Sequence, residues 1–96
     1  MIFNNFSTHE VIVAASGHGE LDLTSTVATE YQLAVHPGTT NVRMLITTDG
    51  STTVADATDL LLENGLQTFE VGRGLSRLSF YNGSGGEAKI SVAVML

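Results

Sequence analysis

Polar and apolar residues alternate with a period of two along most of this chain. Residues 19–25 put Leu21 and Leu23 on one side and Glu20, Asp22 and Thr24 on the other. Residues 29–36 set Tyr31, Leu33 and Val35 against Glu30, Gln32 and Ala34, and residues 41–48 set Val42, Met44 and Ile46 against Asn41, Arg43 and Thr47. Phe69 and Val71 share a face in residues 67–71, as do Leu78 and Phe80 in residues 75–82. The C-terminal stretch 87–96 closes with Ile90, Val92, Val94 and Leu96 against Lys89, Ser91, Ala93 and Met95. Side chains alternate across a pleated sheet, so each segment predicts a strand with one buried face. The run Glu10-Val11-Ile12-Val13-Ala14-Ala15 is apolar on both faces and reads as a strand covered on both sides.

Turn chemistry falls between these segments. Ser16-Gly17-His18-Gly19, His36-Pro37-Gly38, Asp49-Gly50, Gly72-Arg73-Gly74 and Asn82-Gly83-Ser84-Gly85-Gly86 all separate predicted strands. Turn signals about every 8–12 residues predict an all-β fold. The expectation is an antiparallel β-sandwich of about seven or eight strands, jelly-roll-like, although alternation alone does not separate that order from an immunoglobulin-like one. Residues 54–64 read as a long polar loop leading to a short edge strand near Leu60, Leu61 and Leu62. The chain divides into an N-terminal arm, residues 1–8, and one sandwich domain, residues 9–96.

Composition narrows the function. There is no Cys, which removes disulfides, thiolate zinc sites and a cysteine nucleophile. Ten acidic residues against four basic ones give a net charge of −6, the wrong sign for direct nucleic-acid binding. No apolar run approaches the roughly 20 residues of a membrane-spanning helix, and the N-terminus lacks the basic and apolar regions of a signal peptide, so neither membrane nor export is expected. His9, His18 and His36 are too far apart in sequence to form a paired ligand motif, which argues against a cupin-like metalloenzyme. Asp49, Asp56, Asp59 and Glu63 offer oxygens for calcium but lack the alternating carboxylates of a calcium loop, and read as a solvated acidic loop. No cofactor and no catalytic residue is expected.

Some residues suggest contact rather than chemistry. The arm carries Ile2, Phe3 and Phe6, and an apolar tail of this kind either folds back on its own domain or packs on another chain. Arg73 and Arg77 are two of only four positive charges, and arginine is enriched at interface hot spots. Ordinary ion pairs within the chain are an equal reading. Tyr31 and Tyr81 are candidates for a sugar-stacking surface, though the chain has no Trp.

The layout resembles a family. Tyr31-Gln32-Leu33-Ala34-Val35 and Asn41-Val42-Arg43-Met44-Leu45-Ile46 are followed by an Asp/Thr-rich loop, Leu62-Glu63-Asn64-Gly65 and Phe69-Glu70-Val71. Residues 75–81, a Gly/Ser turn and Ile90-Ser91-Val92-Ala93-Val94 complete it. Over residues 10–96 this is similar to the small β-sandwich accessory proteins of tailed-bacteriophage virions, the head decoration (cement) proteins and related neck or fibre proteins. The resemblance rests on layout and composition, without a diagnostic motif. It implies a non-enzymatic protein, made in the host cytoplasm and located on the virion capsid surface. It further implies a homo-oligomer, trimer or dimer, that binds the major capsid protein and bridges neighbouring coat subunits. Residues 1–6 of the arm would be the docking or exchanged segment and residues 49–64 the second contact. A lectin-like or receptor-binding module of a phage neck, tail or fibre is the alternative.

Overall fold

A computed structural model describes residues 6–23, 31–48, 53–71 and 75–95. Eight strands run through them: β1 (Phe6–Val13), β2 (His18–Asp22), β3 (Tyr31–His36), β4 (Val42–Thr47), β5 (Leu60–Leu62), β6 (Gln67–Val71), β7 (Arg77–Asn82) and β8 (Ala88–Met95). They form two four-stranded antiparallel sheets. The front sheet has the order β1-β8-β3-β6 and the back sheet β2-β7-β4-β5. Each strand of the first half pairs with its counterpart counted from the other end: β1 with β8, β2 with β7, β3 with β6, β4 with β5. Lateral pairings β3–β8 and β4–β7 then join these ribbons. The result is all-β and sandwich-like.

The period-two pattern predicts which side chains lie between the sheets. Leu33, Val35, Ile90, Val92 and Val94 face inward from the front sheet, and Val42, Met44, Leu78 and Phe80 from the back sheet, all buried. Leu21, Ile46, Phe69 and Val71 pack around them. Among the described residues Phe80 is the largest fully buried side chain. It lies in register between Gly19 of β2 and Met44 of β4. A Cβ added at Gly19 would sit 2.6 Å from a methyl of Val13 and 2.9 Å from one of Val11, so close approach of β1 requires glycine there. Gly38, at φ +75°, turns the chain after β3, where a Cβ would lie 2.5 Å from the Lys89 carbonyl oxygen.

Two expectations change. β1 begins at Phe6, so residues 6–8 extend the strand and pair with Met95, Val94 and Ala93. Ser7 and Thr8 carry no apolar signal, and the ladder to β8 is what orders them. β1 is also not covered on both sides. Val11 and Val13 are buried, but Ile12 points outward at 55% exposure, because the described residues place no layer over that face.

Asn82 ends β7 and is fully buried. Its Nδ2 donates to the carbonyls of Val13 (3.0 Å), Ala14 (3.3 Å) and Gly86 (2.8 Å). Its Oδ1 accepts from the Ser84 amide (3.0 Å) and the Ser84 hydroxyl (2.6 Å). One side chain therefore shapes the β7–β8 turn and ties it to the end of β1, and it satisfies the buried Val13 carbonyl.

Candidate functional site

The outward residues of the two sheets form two surfaces on opposite sides of the sandwich. On the back sheet, register aligns His18, Tyr81, Arg43 and Leu61 in one row across all four strands. The His18 and Tyr81 rings are 5.2 Å apart at a 46° tilt. Glu20 and Ser79 follow in the next row, and Asp22 and Arg77 in the one beyond. Arg77 Nη1 donates to Glu20 Oε2 at 3.3 Å. The Glu20 end is exposed and the Arg77 side chain is mostly buried, and with one end in water the bridge contributes about 1 kcal/mol or less.

The connection from β4 to β5 lies against this face. Ala55 is fully buried and its amide donates to the buried Ser79 hydroxyl at 2.8 Å. Asp59 Oδ2 accepts from the Asp56 amide (2.8 Å), and Arg43 Nη1 donates to the Asp59 carbonyl (3.1 Å). Asp56 Oδ1 accepts from the Thr58 hydroxyl (2.6 Å) and amide (2.7 Å). Those two bonds, the hydroxyl first, hold the Asp56 carboxyl below its ordinary pKa, with a smaller attraction from His18. Asp56 and Asp59 thus each turn a carboxylate oxygen to an amide of their own loop, as Asx turns do. Among the described residues no group of three or more His, Asp or Glu side chains is placed to hold a metal ion.

The lowered pKa has a sign. A carboxyl whose folded pKa is depressed contributes its stabilisation above the unfolded value and loses it as pH falls through the folded one. The Thr58 amide resonance is therefore expected to titrate with a midpoint below that of an unstructured aspartate. A midpoint at or above that value would remove the Asp56–Thr58 bonds from the account.

On the front sheet the outward rows make a shallow groove of about 430 Å³. Register sets Glu10 of β1 beside Ser91 of β8, and Ser91 beside His36 of β3. The adjacent row is Thr8, Ala93, Ala34 and Thr68. Ala34, Ser91 and Ala93 give a low floor, while Glu10, His36 and the exposed Leu66 stand around it. His36 Nδ1 accepts the Gly38 amide at 3.1 Å. In the neutral ring the proton is then on Nε2.

The sequence-predicted contact residues fare unevenly. Ile2, Phe3 and Arg73 lie outside the described residues, as does Asp49. Phe6 opens β1 opposite Met95, but its side chain lies outside what is described. Arg77 sits on the back face with Glu20. Tyr31 and Tyr81 are not brought together: Tyr31 begins β3 in the front sheet and Tyr81 lies on β7 in the back sheet. The Glu10–Ser91–His36 row carried no sequence signal, because its members come from three strands whose adjacency exists only in the folded sheet. Comparison with protein-family models, curated proteins and solved structures finds no match to the chain.

Proposed function

We propose that the protein is a non-enzymatic virion structural protein of a tailed phage, a homo-oligomer that binds the outer capsid surface and cements neighbouring coat subunits. We also read its sandwich as a jelly roll. The strand order supports that reading: the chain pairs β1–β8, β2–β7, β3–β6 and β4–β5, as a long antiparallel ribbon wrapped into two sheets.

The observation that carries the docking role is the β5 margin. β5 is an edge strand of the back sheet and consists of Leu60, Leu61 and Leu62. Leu60 and Leu61 are 51% and 50% exposed. Natural edge strands are usually blunted by charge or proline against association. This one presents leucine at a ladder edge that no other described strand pairs with, which suits the attachment of a partner surface. β5 lies within residues 49–64, the second contact segment that the resemblance implies.

Particles purified from the source should contain hundreds of copies of this polypeptide, on the scale of the coat protein. A handful would move it to the neck or tail, and none would reject the virion reading. Leu61→Asp should keep the fold and lose co-sedimentation with particles stripped of the native protein. Retained co-sedimentation would remove β5 from the interface.

A further inference from the structure

We propose that the groove on the outer face of the front sheet binds a neutral saccharide of one or two pyranose rings. The proposal does not depend on docking through β5, because the Leu61 and Arg77 surface belongs to the other sheet.

The walls of the groove select the ligand by charge and by hydrogen bonding. Glu10 stands on one side, exposed, in a protein of net charge −6. An anion such as a phosphate or a carboxylated sugar is repelled there. His36 stands on the other side with Nδ1 already engaged by Gly38, so the ring offers the Nε2–H donor. The Ser91 hydroxyl lies between them and serves as donor or acceptor. A cationic amine would pair with Glu10 and make no use of the exposed His36 donor. Glu10 and His36 stand two strand spacings apart, about 10 Å between backbones, so different hydroxyls of one pyranose ring donate to the first and accept from the second.

The rest of the groove fits the other character of a sugar. Ala34 and Ala93 leave the floor low and apolar, and Leu66, 71% exposed, adds an apolar wall for the C–H face of a ring. The volume of about 430 Å³ lies toward the small end of ligand clefts, which run from about 300 to 1,000 Å³. Every floor residue sits on β3 or β8, strands flanked on both sides in the front sheet, so the site is built on the rigid part of the sandwich. The described lining residues include no Trp, Tyr or Phe, so the expected dissociation constant is weak, on the order of 1 mM.

The test is a titration of the isotopically labelled full chain, followed by amide shifts. The probes are methyl α-glucopyranoside, methyl β-galactopyranoside, N-acetylglucosamine and maltose, with glucose 6-phosphate and N-acetyl-lysine amide as charged controls. At least one neutral sugar is expected to shift the Ala34, Ser91 and Ala93 amides saturably. Ala93→Leu, which fills the floor from an outward position, should weaken that binding at least tenfold. His36→Ala should weaken it too, and serves alone if Ala93→Leu does not fold. The proposal is overturned if no neutral sugar gives a saturable shift at roughly ten times 1 mM. It is equally overturned if only a charged control binds, or if the shifts survive the variants that fold.

Discussion

Asn82→Asp is expected to cost about 3–5 kcal/mol at pH 7, the range for leaving a buried charge uncompensated. In the native protein Nδ2 donates to carbonyls of Val13, Ala14 and Gly86 within 2.8–3.3 Å. Aspartate would turn a carboxylate oxygen toward the same three acceptors, with full burial and no counter-charge. Its pKa in the folded state is thereby raised. A raised carboxyl destabilises the fold above that pKa and ceases to do so below the unfolded value. The variant should therefore regain stability relative to the native protein between pH 7 and pH 4, since the protonated acid restores one donor. Asn82→Ala removes the Nδ2 bonds without adding a charge, and Ala14 and Gly86 keep the Gly17 amide and the Ser84 hydroxyl as donors, so it should cost less, about 1–3 kcal/mol, with little pH dependence. Domains of this kind have about 5–15 kcal/mol in all. Urea unfolding at the two pH values measures this directly. A loss below 1 kcal/mol for Asn82→Asp would mean that water reaches the site.

The same residue shows where sequence reading stops. Asn82 is legible as part of a turn, because Asn and Gly cluster there. Its role as a tie to β1 is not, since Val13 comes close only once β8 pairs with β1 and the back sheet lies beneath. The inward faces of β2, β3, β4, β7 and β8 were legible from alternation, because burial on one face imposes period two whatever the partner strand. Strand order was not, because alternation carries no information on which strand lies beside which. Ile12 shows the converse error. An apolar run predicts cover on both faces, yet the residues described leave its side chain exposed. The Glu10–Ser91–His36 row has the same origin as the Asn82 tie: three unremarkable outward positions become a site through register alone.

Phe80→Ala should be the costliest core change, about 3–5 kcal/mol, because the ring is fully buried and its removal leaves a cavity. Its surroundings have little room to collapse into that space. Gly19 on one side has no side chain to move, and Met44 on the other is itself buried. Filling from Gly19 does not help, because any Cβ there meets Val11 and Val13 of the front sheet before it reaches the vacated volume. Gly19→Ala should therefore add its own cost in a Phe80→Leu background, and a rescue measured by urea unfolding would show that the sheets can part. Leu61→Asp is the counterpart. Leu61 is half exposed on an edge strand, so its replacement should change stability by no more than about 0.5 kcal/mol. If Phe80→Ala weakens particle binding only in proportion to the fraction unfolded, while Leu61→Asp abolishes it at full stability, attachment belongs to the β5 surface and the core serves it only as a rigid support.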